Sequence, residues 1–206
     1  MQHRKKPAQH TNSKGKSAQR MGSIRIISGQ WRGRKLPVLS ADGLRPTTDR
    51  TKETLFNWLM QDIHGLRCID AFAGSGSLGF EALSRGAKSV TFIEKNAAAV
   101  KQLKSNISLL KVNNEQAQVH LGEAADFFLQ SPSQAYDLIF VDPPFGKGLV
   151  GPTLTKIVEK GWLTPTGLVY VEMEQPAPLA IVEPWQPLKT KETAGFCYQL
   201  LQLSPD

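Results

Sequence analysis

Residues 67–85, RCIDAFAGSGSLGFEALSR, constrain the fold more than any other stretch of the chain. A short apolar run ends at Asp70, three glycines follow in G-x-G-x-x-G spacing (Gly74, Gly76, Gly79), and the sequence then turns helical to about Arg85. Glycines allow a tight turn and close approach of the backbone to a ligand, and a helix start presents amide N–H groups. Strand, glycine turn and helix make the opening unit of a doubly wound α/β sheet, whose ligands bind at the carboxyl ends of the strands. The spacing by itself admits NAD and other ribose-bearing cofactors alike.

The rest of the chain repeats the alternation. Strand-like runs at 89–95, 117–124, 136–145, 167–174 and 196–203 are separated by helix-like segments at 97–111, near 125–130 and at 150–163. This predicts parallel βαβ units without an internal repeat. Residues 44–63 begin in a proline-fixed turn and become helical, with Thr47, Thr48 or Asp49 as the cap. Leu55, Phe56, Leu59 and Ile63 form their core-facing stripe. Residues 23–38, SIRIISGQWRGRKLPV, read as two short strands around the turn SGQ. Their apolar residues Ile24, Ile26, Trp31, Leu36 and Val38 interleave with Arg25, Arg32, Arg34 and Lys35, giving a hairpin with one apolar and one basic face. That hairpin serves either as a nucleic-acid contact or as core packing with solvated arginines.

Charge is informative once divided. Of the 206 residues, the first 35 hold ten Lys/Arg and no acid, while the remainder carries 15 basic against 18 acidic residues. A basic arm on a mildly acidic body attracts polyanions, with counterion release on phosphate contact. Residues 1–22 are expected to be a disordered basic tail, 23–43 the hairpin and 44–206 the main domain. No apolar run reaches the roughly 18 residues of a membrane span and no signal-peptide core is present, so a cytoplasmic protein is expected. Cys68 and Cys197 are read as two core thiols, and His3, His10, His64 and His120 lack metal-ligand spacing.

Two acidic positions refine the ligand. Glu94 lies 20 residues after Gly74 at the end of the second strand, where a carboxylate accepts hydrogen bonds from ribose hydroxyls. Asp70 ends the first strand, where it either faces the ligand, caps the following helix, or does both. Facing a pyrophosphate it would be repelled, on the order of several kcal/mol. A ligand with an ammonium and a sulfonium fares better, and S-adenosylmethionine fits that description. The second refinement is VDPPF, residues 141–145. Pro143 and Pro144 cannot extend a strand. Asp142 and the Pro143 carbonyl can accept both hydrogens of an exocyclic amine while Phe145 stacks on its ring, which orients the nitrogen lone pair for in-line attack.

Asp70-Ala-Phe-Ala-Gly-Ser-Gly76 and Asp142-Pro-Pro-Phe145 resemble the cofactor and catalytic motifs of S-adenosylmethionine-dependent amino-methyltransferases. With GQWRGRKLP (29–37) and LRPTTDRTKETLFNWL (44–59), the chain over about 23–203 resembles the RsmD family, bacterial 16S rRNA (guanine(966)-N(2))-methyltransferases. The resemblance implies a Rossmann-like, seven-stranded, mostly parallel sheet whose last strand, here FCYQLLQL, is antiparallel. It implies cofactor contacts by Arg45, Thr47, Thr48, Asp70, Phe72, Ala73, Gly74, Ser75, Gly76, Glu94 and Lys95. Beside the adenine it implies Ala124 and either Glu123 or Asp126. Arg25, Trp31, Arg32, Arg34 and Lys35 become the RNA-contacting set, the partner 16S rRNA or a small-subunit particle, and the default state a monomer without metal. Competing readings are a DNA adenine-N6 methyltransferase, an NAD-dependent oxidoreductase and a non-catalytic RNA-binding module.

Overall fold

The computed structural model describes residues 21–39, 49–59, 63–174 and 183–204. Alternation of apolar strands and amphipathic helices places a mixed sheet between two helical layers. Strands β1 (Met21–Arg25) and β2 (Lys35–Leu39) form a separate antiparallel hairpin, and α1 (Asp49–Trp58) follows. The main unit runs β3 (Arg67–Asp70), α2 (Ser77–Ser84), β4 (Ser89–Glu94), α3 (Ala97–Leu110), β5 (Ala117–Leu121), α4 (Ala124–Phe127) and β6 (Tyr136–Val141). It ends with α5 (Val150–Glu159), β7 (Leu163–Glu174), β8 (Trp185–Glu192) and β9 (Phe196–Leu203).

The seven strands lie in the order β5-β4-β3-β6-β7-β9-β8. Neighbours from β5 to β7 are parallel, and β9 runs antiparallel to both β7 and β8. The expected antiparallel FCYQLLQL strand is therefore present, although it is inserted beside β7 and the edge is β8. Parallel strands covered on both faces read as continuous apolar runs, as these do. On one face Cys68, Phe92, Phe140, Tyr170 and Tyr198 pack against the hairpin, α1, α2 and α3; on the other Ile69, Ile93, Ile139, Val141 and Val169 meet α4 and α5. Leu55, Phe56, Leu59 and Ile63 are all buried, as their spacing predicts, and so are both cysteines.

One boundary and one strand differ from expectation. β1 covers Met21–Arg25, so its first two residues fall inside the segment expected as the tail. β8 was not foreseen. It is an edge strand in which Trp185 is buried while most other positions face solvent, and its pairing slips between Pro187 and Lys189. Proline is tolerated there because an edge strand at a bulge has no obligatory donor. Among the described residues no helix is long and apolar enough to cross a membrane.

The hairpin is fastened to α2. Glu81, fully buried, accepts the Ile27 and Ser28 N–H groups at 2.8 and 3.0 Å and the Arg85 Nε at 2.7 Å. The Ser84 carbonyl accepts Gln30 N–H at 2.7 Å, and its hydroxyl accepts Trp31 N–H at 3.1 Å. Gly29, at φ +81°, passes so near that a Cβ would lie 1.8 Å from the Ser84 carbonyl oxygen. From the opposite side Lys52, only 1% exposed, donates to the Arg25 carbonyl at 2.6 Å and pairs with Asp49 at 3.6 Å.

Candidate active site

Side chains alternate faces along a strand, and register decides which of them meet. Asp70 pairs with Phe92 and Phe140, and Phe140 pairs with Tyr170. Two residues beyond those aromatics stand Glu94, Asp142 and Glu172. Four neighbouring strands, β4, β3, β6 and β7, thus each carry a carboxylate at or near the carboxyl end on one face of the sheet. All four line a single cavity of about 670 Å³ at the carboxyl ends of the strands, where the chain order reverses between β3 and β6.

The glycine turn forms one wall. Gly74 N–H donates to Glu94 Oε2 at 2.8 Å, and Asn96 N–H to Glu94 Oε1 at 2.7 Å, so the Glu94 carboxylate is held rigidly at the cavity edge. Phe72, Ala73, Gly74 and Ser75 line the cavity, whereas Gly76 does not. Gly76 sits at φ +77° as the first cap of α2, where a Cβ would come within 2.5 Å of Phe80 and 2.6 Å of Leu103. Its role is the turn and the packing behind it. Gly79 likewise lets α2 press on β4, since a Cβ there would lie 2.2 Å from Phe92.

Asp70 caps α2 and also stands at the cavity. Its Oδ2 accepts the Gly79 N–H at 3.0 Å, capping α2, and its carboxyl also lines the cavity. Burial lifts its pKa from 3.8 to about 7; the Gly79 bond opposes this, and Asp142 and Glu94 add to it. Between those values the folded protein holds a proton that the unfolded chain has released. Stability therefore falls as pH rises from about 4 to about 7, and the full penalty applies above that window. We expect the melting temperature of ligand-free Asp70→Asn minus that of wild type to grow from pH 5 to pH 8 by several degrees. A gap independent of pH in thermal melts would show that Asp70 is not the buried acid responsible.

The opposite wall is the tip of β6. Asp142 is half-buried, Pro143 buried, and Pro144 and Phe145 exposed to the cavity mouth. Phe145 lies 6.4 Å from Phe196 between ring centroids, and the Gly146 N–H donates to Glu174 Oε2 at 2.6 Å, which ties the loop down. Lys95 and Glu123 pair at 3.5 Å across the rim. Glu123 and Ala124 line the cavity, whereas Asp126 does not. Arg45, Thr47 and Thr48 lie outside the described residues.

Sequence reasoning missed several lining residues. Gly22, Ser23, Val38 and Leu39 place the open end of the hairpin on the cavity, so this element walls the cavity as well as carrying a basic surface. Lys156, which donates to the Ala125 carbonyl at 3.0 Å, and the buried Glu172 also line it. Arg25, Arg32, Arg34 and Lys35 are exposed on the hairpin, while Trp31 is half-buried and packs on the core. Among the described residues no three His, Cys, Asp or Glu side chains are grouped as metal ligands.

A seven-stranded sheet of this order, with one antiparallel strand and a cavity at the switch point, is a class I methyltransferase fold. The solved structure of the Escherichia coli protein yhhF matches it with a TM-score of 0.81 and 44% identity, covering 90% of this chain and 100% of that one. A Haemophilus influenzae structure matches with a TM-score of 0.79 and 48% identity, over 89% and 100%. Ribosomal RNA small subunit methyltransferase D of H. influenzae is 52% identical over 88% of this chain and 94% of its own, and that of E. coli K12 47% over 88% and 90%. Residues 24–202 match the family described as conserved hypothetical protein 95. The chain belongs to this family, that of the RsmD methyltransferases.

Proposed function

We propose that this protein transfers a methyl group from S-adenosylmethionine to the exocyclic N2 of a guanine in small-subunit 16S rRNA, with guanine 966 as the expected position. The observation that carries this reading is the placement of Asp142-Pro143-Pro144-Phe145 on the same cavity as Gly74 and Glu94. The relatives named as small-subunit rRNA methyltransferases support the substrate.

The cavity suits the cofactor in size and donor set. Asp70, Glu94, Asp142 and Glu172 on the lining, against Lys95 and Lys156, favour a ligand carrying positive charge near the β3 tip and disfavour a pyrophosphate. Glu94 would hold the ribose hydroxyls, the 72–75 turn the amino-acid end, and Glu123 and Ala124 the adenine. S-adenosylmethionine supplies an electrophilic methyl group on a sulfonium. Asp142 and the Pro143 carbonyl accept the two amine hydrogens of the target, Phe145 stacks on its base, and Asp142 takes up the proton released as the new N–C bond forms. A stacked base cannot reach the tip of β6, so the guanine must be looped out or flipped.

RNA is held by Arg25, Arg32, Arg34 and Lys35 on the hairpin, and the sequence of residues 1–20 supplies six further cations. Removing residues 1–20 is expected to weaken rRNA binding and flatten the slope of log K against log salt; an unchanged slope would exclude phosphate contacts by this segment. The decisive assay is transfer of labelled methyl to small-subunit rRNA, naked and in particles, and to duplex DNA, followed by mapping of the modified nucleotide. Label on guanine N2 of the rRNA supports the proposal, and label only on adenine in DNA overturns it.

A further inference from the structure

We propose that Glu172 reads the ring N1 of the target base, so that the site takes a guanine edge and rejects an adenine-like one; this rests on the guanine-N2 reading above. The amine grip of Asp142 and the Pro143 carbonyl cannot make this distinction, because both base types offer a planar amine with two hydrogens. What differs is the neighbouring ring nitrogen. Guanine N1 carries a hydrogen, whereas adenine N1 presents a lone pair.

The structure puts a carboxylate where that nitrogen must be judged. Val141 pairs with Val171, so Asp142 and Glu172 are the next residues on adjoining parallel strands. The Phe140 and Tyr170 rings, one pair back, meet at 6.4 Å, which fixes Asp142 and Glu172 on the same face. Glu172 is 6% exposed and lines the main cavity. It also lines an adjoining hollow of about 160 Å³ bounded by Pro143, Pro144, Phe145 and Glu174. This hollow continues the main cavity past the proline turn, on the side away from the glycine turn. The Tyr170 hydroxyl donates to Glu172 Oε2 at 3.1 Å, which orients the carboxylate. A carboxylate offers several acceptor positions on its two oxygens, so a bond from the Tyr170 hydroxyl is compatible with one from N1–H. An N1 lone pair in the same place would face a buried negative charge without a donor between them, which is the kind of mismatch that gives strong rejection.

The test uses the full-length protein and small-subunit rRNA ligated to carry either guanine or 2-aminopurine at the mapped position. 2-Aminopurine keeps the amine, replaces N1–H by a lone pair and lacks O6, so the Glu172-dependent part of the preference is read from its change in the variant. Wild type is expected to prefer guanine by at least ~100-fold in kcat/KM. Glu172→Gln keeps an oxygen for Tyr170 and gains an NH2 that can donate to a lone pair. In it the guanine rate should fall and the preference should drop about tenfold or more. The readout is a ratio of two substrates on one enzyme preparation, so partial unfolding cancels. An unchanged ratio in Glu172→Gln, or equal use of both bases by wild type, overturns the assignment of Glu172 while leaving the guanine-N2 reading intact. If wild type methylates neither base in rRNA, that reading fails first and Glu172 with it.

Discussion

Asp142→Ala should abolish methyl transfer, with kcat lowered by about 1,000-fold or more, while affinity for S-adenosylmethionine changes little. The side chain stands at the tip of β6, half-buried and beside Pro143, whose ring has no backbone N–H to compete with the incoming amine for an acceptor. Asp142 can thus act on the target nitrogen both as acceptor and as proton sink, and alanine offers neither. The cavity wall at Gly74 and Glu94 is held by its own hydrogen bonds, 2.8 and 2.7 Å long, which do not pass through Asp142. Asp142→Asn separates the two roles, because it keeps an acceptor oxygen but no negative charge. Its rate relative to Asp142→Ala measures the share due to orientation. Single-turnover transfer and a cofactor-induced thermal shift on each variant provide the check. Near-normal turnover in Asp142→Ala would overturn the assignment of the D-P-P-F turn as the catalytic centre.

Much of this site was legible because its chemistry sits in short, unusual strings at strand ends. Asp70, Gly74 and Glu94 are spaced by the local geometry of one βαβ unit, and a double proline after an apolar strand has few structural uses. The parts that were not legible depend on register or on contacts between distant elements. Glu172 lies in the run GLVYVEME, where an acid looks like an ordinary strand-end charge. Only the pairing of β6 with β7 shows that it stands beside Asp142. Gly76 and Gly79 fit a nucleotide-binding spacing, yet one supports the turn and the other the contact of α2 with Phe92. β8 escaped notice because an exposed edge strand has little hydrophobic pattern to display, and its Pro187 argues against a strand on local grounds. The hairpin was read for its charge, and its open end proved to wall the cavity as well.

Glu81 is another residue whose importance appears only in three dimensions, and its loss should be the most damaging to the fold. In sequence it is a helical glutamate four residues before Arg85. In the structure it is fully buried, and its carboxylate gathers the Ile27 and Ser28 N–H groups and the Arg85 Nε. Arg85 in turn lies over the Phe56 ring at 4.8 Å, so this one carboxylate joins the hairpin, α2 and α1. Glu81→Ala would leave two loop donors and a guanidinium without their acceptor, at a cost of roughly 3–5 kcal/mol. Glu81→Gln retains one acceptor oxygen and should cost about half as much. The loop cannot settle closer to α2 in compensation, because Gly29 is already against the Ser84 carbonyl. The consequence reaches beyond stability, since the hairpin carries the exposed Arg32, Arg34 and Lys35 at one end and covers the cavity with the other. In Glu81→Gln, at a temperature where it remains folded, rRNA affinity should therefore fall more than the cofactor-induced thermal shift does. Urea melts of both variants, paired with rRNA binding, test this chain of dependence. A Glu81→Ala protein that melts within about 1 kcal/mol of wild type would show that the hairpin is held by its apolar face alone.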